Sequence, residues 1–267
     1  MKKITIICIA SLIAFNVNAQ FSFWHIGLIG GPSSTWLLNS DVSNIPIEMN
    51  YKSSVGGCFG LSLTHNFVEK TALKIEFIYS MHNQSYDGDF NGTDVSLGYG
   101  NGDSYVAETK LTYLDIPVLL HFGKANSPYI ELGPQIGFLL GAKEDYTYTS
   151  TSGLINTLHP NESNVNYKSD FNNMNICGVL GFGYNASLSS LISLDLGIRL
   201  GYSLMDVTKS FPQTDWIPAA GGTIVPHSLS STYAHFDSFN LIPDNFKYKT
   251  TNRLFGSFLI GLSINIP

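Results

Sequence analysis

Three groups of residues have the types that chemistry needs. In Asp87-Gly88-Asp89-Phe90-Asn91-Gly92-Thr93-Asp94, oxygen-bearing side chains recur at alternate positions with glycine at the sixth, as in the first half of a calcium loop. The twelfth position, where a bidentate Glu would close the shell, is Gly98. Asp, Asn and Gly also dominate ordinary turns, and the segment is read as one, with no metal assigned. The stretch holding His227, Ser228, His235, Asp237 and Ser238 supplies the residue types of a hydrolase acting on lipid, but no spacing fixes a nucleophile beside its base. No catalytic residue, cofactor site or metal site is therefore assigned, and the chain is not expected to be an enzyme. The third group, Lys74, Glu76, Asp115, His121, Glu131, Asp195, Arg199 and Arg253, consists of isolated charges in otherwise apolar surroundings. What these do depends on the elements that carry them.

Those elements are strands. From Tyr113 to Gly141 apolar residues occupy every second position of two segments: Leu114, Ile116, Val118, Leu120 and Phe122, then Ile130, Leu132, Pro134, Ile136, Phe138 and Leu140. A period of two is that of a β-strand, and the turn Lys124 to Pro128 makes the pair a hairpin. The pattern recurs over 24–36, 55–63, 73–81, 175–185, 192–204 and 253–265, giving eight segments. Tight turns near Asn66, Lys124 and Ser189 alternate with long connections at about 38–51, 86–105, 147–170 and 208–248. Short turns at one end and long loops at the other are the layout of an outer-membrane barrel.

Composition bears on which face is wet. The chain carries only 13% charged residues, against roughly 25% in ordinary soluble domains. The polar face of the strands carries Gly, Ser and Asn rather than the Lys, Glu and Thr of a solvated sandwich face. Glycine suits the inside of a narrow, strongly curved barrel. The apolar stripes, about 9 to 13 residues long, match tilted strands crossing hydrocarbon. Polar residues of outward parity begin only beyond them, at Glu108, Lys110, Asp206, Thr250 and Asn252. Aromatics near the stripe ends are expected to form two girdles: Phe23, Trp24, Phe67, Phe122 and Tyr129 at one interface, Trp36, Tyr146, Tyr148, Phe171 and Tyr202 at the other.

The expected fold is an all-β, eight-stranded antiparallel up-and-down transmembrane β-barrel with short periplasmic turns and long extracellular loops. Residues 1–19, with Lys2 and Lys3 before the apolar run Ile4 to Phe15, read as a signal peptide; residues 20–267 form the barrel. The chain is placed in the cell outer membrane with both termini periplasmic. Removing Lys2 and Lys3 leaves 12 basic against 20 acidic residues, a net charge of −8 that excludes nucleic acid as a partner. The expected partners are outer-membrane lipid and a protein at the extracellular loops. Cys58 and Cys177 fall on opposite barrel walls, too far apart to bridge, and are expected as free thiols.

The string Tyr113-Leu114-Asp115-Ile116-Pro117-Val118-Leu119-Leu120, followed by a turn and the Gly-rich strand Tyr129 to Gly141, resembles the PorT-like outer-membrane β-barrel family. The likeness covers essentially the whole mature chain in layout, including Ile26 to Gly31 and Gly256 to Ile266. It implies an eight-stranded barrel of the porin-like superfamily and little about activity. The family's namesake takes part in type IX protein secretion, and no motif here carries that role over.

The lumen of an eight-stranded barrel is just filled by side chains, so a wide pore is not expected. The eight isolated charges point inward, where they must pair. The hairpin register sets His121 opposite Glu131, while Lys74, Glu76 and Asp115 are expected to form a second cluster. The connection 208–248, with Phe211, Trp216, Tyr233, Phe236, Phe239 and Phe246, is the longest and the expected docking element, or a lid over the mouth.

Overall fold

Alternation on this scale leaves each strand one apolar face, and closing the sheet into a ring is what removes its unpaired edges. The computed structural model describes residues 23–39, 50–89, 100–153, 161–209 and 250–266, in which ten strands form one antiparallel sheet. They are β1 (Phe23–Leu38), β2 (Asn50–Lys52), β3 (Val55–Val68), β4 (Thr71–Asp89), β5 (Ser104–Phe122), β6 (Ser127–Thr149), β7 (Glu162–Asn166), β8 (Met174–Ser187), β9 (Ile192–Ser203) and β10 (Asn252–Ile266). Eight of them close a ring: β1 pairs with β3 and β10, β4 with β3 and β5, β6 with β5 and β8, and β9 with β8 and β10. Each neighbour in the ring is also the next ring strand in sequence, which is the up-and-down order.

Burial follows the predicted parity. Outward positions such as Ile26, Leu61, Phe77, Leu132, Phe182, Ile198 and Ile260 are exposed, while their neighbours are buried or half-buried on the lumen side. A sheet with its large apolar residues outside and its charges inside is stable only if hydrocarbon covers it. The signal-peptide segment, most of the turn predicted at 87–94 and the connection holding His227, Ser228, His235, Asp237 and Ser238 lie outside the described residues.

Two predicted loops hold short strands of their own. β2 lies in the connection 38–51 and extends it to Lys52, pairing with Ser85 to Asp87 of β4; β7 lies within 147–170 and pairs with Lys143 to Tyr146 of β6. Strands β4, β5 and β6 also run on past the end of the apolar stripe. Together they form a five-stranded sheet, in the order β2-β4-β5-β6-β7, on one side of the loop end. The stretch Ser104 to Lys110 alone adds roughly 20 Å of strand at about 3.3 Å per residue. Asp87, Gly88 and Asp89 belong to this extension, and Asp87 pairs with Lys52 at 2.5 Å. The first positions of the predicted turn are therefore strand instead.

The aromatic girdles need correction too. Trp24, Phe122 and Tyr202 are exposed as predicted, but Tyr129, Tyr146 and Phe171 are buried inside. Tyr129 faces inward because Gly183 and Gly197 leave room for it: a Cβ at either would lie 2.5 Å from its hydroxyl. Phe171 follows a short 3-10 turn, Lys168–Asp170, and packs with Tyr167, Val207, Leu37, Leu111 and Tyr113 across the loop end of the lumen.

Candidate functional site

The charges predicted to face inward meet in two layers. Nearer the turn end, Arg199 of β9 reaches across to Glu76 of β4 (Nη1 to Oε2 2.5 Å, Nη2 to Oε1 3.1 Å) and to Glu131 of β6 (Nη2 to Oε1 2.5 Å). Lys74 sits two positions from Glu76 on the same inward face, 3.0 Å from its carboxylate and 3.6 Å from that of Glu131. His121 stands opposite Glu131 in register with Nδ1 3.6 Å from Oε2, too far for a direct hydrogen bond. Gly181 makes the arrangement possible, since a Cβ there would lie 2.6 Å from Cγ of Glu131. Two cations and two carboxylates balance, as a buried cluster requires.

The second layer differs from expectation. Asp115 does not join Lys74 and Glu76 but binds His82 Nε2 at 3.0 Å and Arg253 Nη2 at 3.4 Å. Arg253 is fully buried, with its guanidinium carbon 4.3 Å from the Tyr113 ring centroid and Nη2 3.3 Å from Cys177 Sγ. Asp195 stays half-buried and accepts a hydrogen bond from Asn185 Nδ2 at 2.6 Å. His82 was legible as an inward position but not as a partner. The register sets His82 opposite Leu111 and Asp115 opposite Ile78, so their contact runs along the lumen and is not a cross-strand pair that alternation would announce. Cys58 and Cys177 are free, on strands four places apart in a ring of eight.

His82 also faces Thr35 Oγ1 through Nδ1 at 2.9 Å. Asp115 only accepts, so Nε2 of His82 donates to it, and the resulting Thr35–His82–Asp115 chain has the connectivity of nucleophile, base and acid. All three side chains are 1 to 2% exposed. The neighbouring void, about 20 Å³ among Ser33, Ser80, His82, Asp115, Gln135 and Arg199, has room for about one water and none for a substrate. The chain holds β1, β4 and β5 together; it does not present a nucleophile.

Beyond the apolar stripe, Asp103 organises the loop end of β5 and β6. Its carboxylate accepts from the amides of Gly100 (2.6 Å), Thr151 (2.6 Å) and Ser152 (2.9 Å), and from the hydroxyls of Tyr148 and Ser152. Burial alone would raise its pKa; the hydrogen bonds from Tyr148, Ser152 and Gly100 outweigh that and hold it well below the usual carboxylate range. A carboxyl whose folded pKa is depressed contributes stability above its unfolded pKa and loses it only as pH falls through the folded value. Slow amide exchange at Thr151 and Ser152 is therefore expected to persist at pH 4. Asp103→Asn is expected to speed it at neutral pH with little change in global unfolding, measured by hydrogen exchange; unchanged protection would show that the carboxylate is not the anchor.

A profile of the outer membrane protein β-barrel domain matches residues 18–209. No curated protein matches the chain. Among solved structures it is similar to the outer membrane protein OprG of Pseudomonas aeruginosa (12% identity, TM-score 0.35, covering 92% of this chain and 97% of that one). It is also similar to Neisserial surface protein A (9%, 0.36, 90% and 96%) and to the attachment invasion locus protein Ail of Yersinia pestis (11%, 0.35, 91% and 98%). Such distant likenesses carry nothing about activity. The profile spans more than two thirds of the chain and agrees with the closed ring, the outward apolar face and the paired charges within: this protein belongs to the outer-membrane β-barrel domain family.

Proposed function

We propose that the protein is a non-enzymatic outer-membrane barrel that works as an interaction scaffold, with its turn end and both termini in the periplasm and its loop end outside. The observation that carries this reading is the filled lumen. Among the described residues, two charge-balanced layers occupy its middle and the Tyr167, Phe171 and Val207 cluster packs across its loop end, which argues against a wide path for solutes, while β2-β4-β5-β6-β7 carry a broad sheet beyond the apolar stripe.

Deleting residues 212–243 tests the proposal. The shortened barrel is expected to insert normally and to show no ion conductance in planar bilayers, like the full chain, but to lose a partner that co-purifies with the full chain from solubilised outer membrane. Steady conductance by the full chain would favour narrow transport, and an altered lipid profile in a strain lacking the protein would favour lipid-modifying activity; either result overturns the scaffold.

A further inference from the structure

At the loop-end margin of the apolar belt, on the wall formed by β5 and β6, lysines gather where hydrocarbon gives way to headgroups. On β6 the last outward apolar residues are Phe138 and Leu140, 42% and 49% exposed. A bulge at Leu140 then leaves Ala142 and Glu144 buried and turns Lys143 outward between them. Lys143 lies directly opposite Lys110 in register, and like charges facing each other across a strand pair are destabilising. Lys110 is compensated by Asp145 and by Glu108 at 3.4 Å, and Asp145 is further committed to the amide of Asn164 at 2.6 Å. Lys143 is exposed and has no ion-pair partner among the described residues. Lys168, beyond β7, brings its Nζ to the carbonyl oxygen of Leu140 at 3.1 Å, which places a second cation at the edge of the belt.

We propose that Lys143 and Lys168 form a seat for the phosphate of an anionic membrane lipid whose acyl chains lie over Leu140, Phe138 and Leu114. A phosphate gives Lys143 the ion-pair partner that it lacks among the described residues, since Asp145 and Glu108 are committed to Lys110, and gives Lys168 a charged acceptor. The apolar side chains directly beneath the cations select a lipid over free phosphate, because only a lipid covers both. Which leaflet supplies it rests on the orientation proposed above; the seat itself does not.

The full chain is reconstituted in phosphatidylcholine vesicles with and without phosphatidic acid, which makes the result independent of orientation, then extracted in mild detergent and weighed by native mass spectrometry. Phosphatidic acid is expected to be retained in preference to phosphatidylcholine. Its apparent affinity is expected to fall roughly thirtyfold in the double variant Lys143→Gln/Lys168→Gln, from about tenfold or less per interfacial lysine. Lys124→Gln, at the opposite turn, is expected to change nothing. Equal retention of the two lipids, an unaltered double variant, or displacement of phosphatidic acid by inorganic phosphate overturns the proposal, the last by showing a site for small anions instead.

Discussion

Arg199→Met is expected to lower the unfolding free energy of the barrel by about 3–5 kcal/mol, the cost of removing one partner from a buried ion cluster. Arg199 bonds both Glu76 and Glu131, and all three are buried. Without the guanidinium, two carboxylates face each other with only Lys74 between them. Methionine keeps much of the volume, so the loss measures charge more than packing. Adding Glu131→Gln restores the charge balance with Glu76 and Lys74, and the double variant is expected to be more stable than Arg199→Met alone. Denaturant titration in detergent micelles, followed by the gel shift between folded and unfolded barrel, measures both. If Arg199→Met unfolds like the parent chain, the cluster is not what holds this layer.

The fold was legible in the sequence because strand parity is a strict rule: in β6, Ile130, Leu132, Ile136 and Phe138 face out and Glu131 and Gln135 face in, and a slip of one residue would put the charges in hydrocarbon. The pairing of His121 with Glu131 follows from the turn, whose Ser127 hydroxyl donates to the carbonyl of Lys124 at 2.8 Å and fixes the register. Pairings across the lumen were not legible. Asp115 meets Arg253, 138 residues away, because shear sets the height of each strand around the ring, and alternation alone does not encode shear. The same limit explains Tyr129 and Phe171. An aromatic at a stripe end suits a girdle as well as a lumen, and only the glycines opposite Tyr129 and the fold-back of 168–171 decide. Likewise β2 and β7 are too short, and too polar, to announce themselves by periodicity.

The second large effect concerns those glycines. A Cβ at Gly197 would lie 2.5 Å from the Tyr129 hydroxyl and 3.1 Å from the carbonyl oxygen of Phe182; at Gly183 it would lie 2.3 Å from the carbonyl oxygen of Leu196 and 2.4 Å from Cζ of Tyr129. Overpacking of this kind typically costs about 1–3 kcal/mol. The two sites differ in what must yield. At Gly197 the closest obstacle is the tip of one side chain, so Tyr129→Phe should restore most of the stability that Gly197→Ala removes. At Gly183 the closest obstacle is backbone, and the same second change should restore little. A double-mutant cycle on each pair, read by denaturant midpoint in micelles, separates these outcomes. Equal rescue at both positions would mean that strands β8 and β9 can part to admit a methyl, and that Tyr129 alone, not the curvature of the wall, sets the demand for glycine.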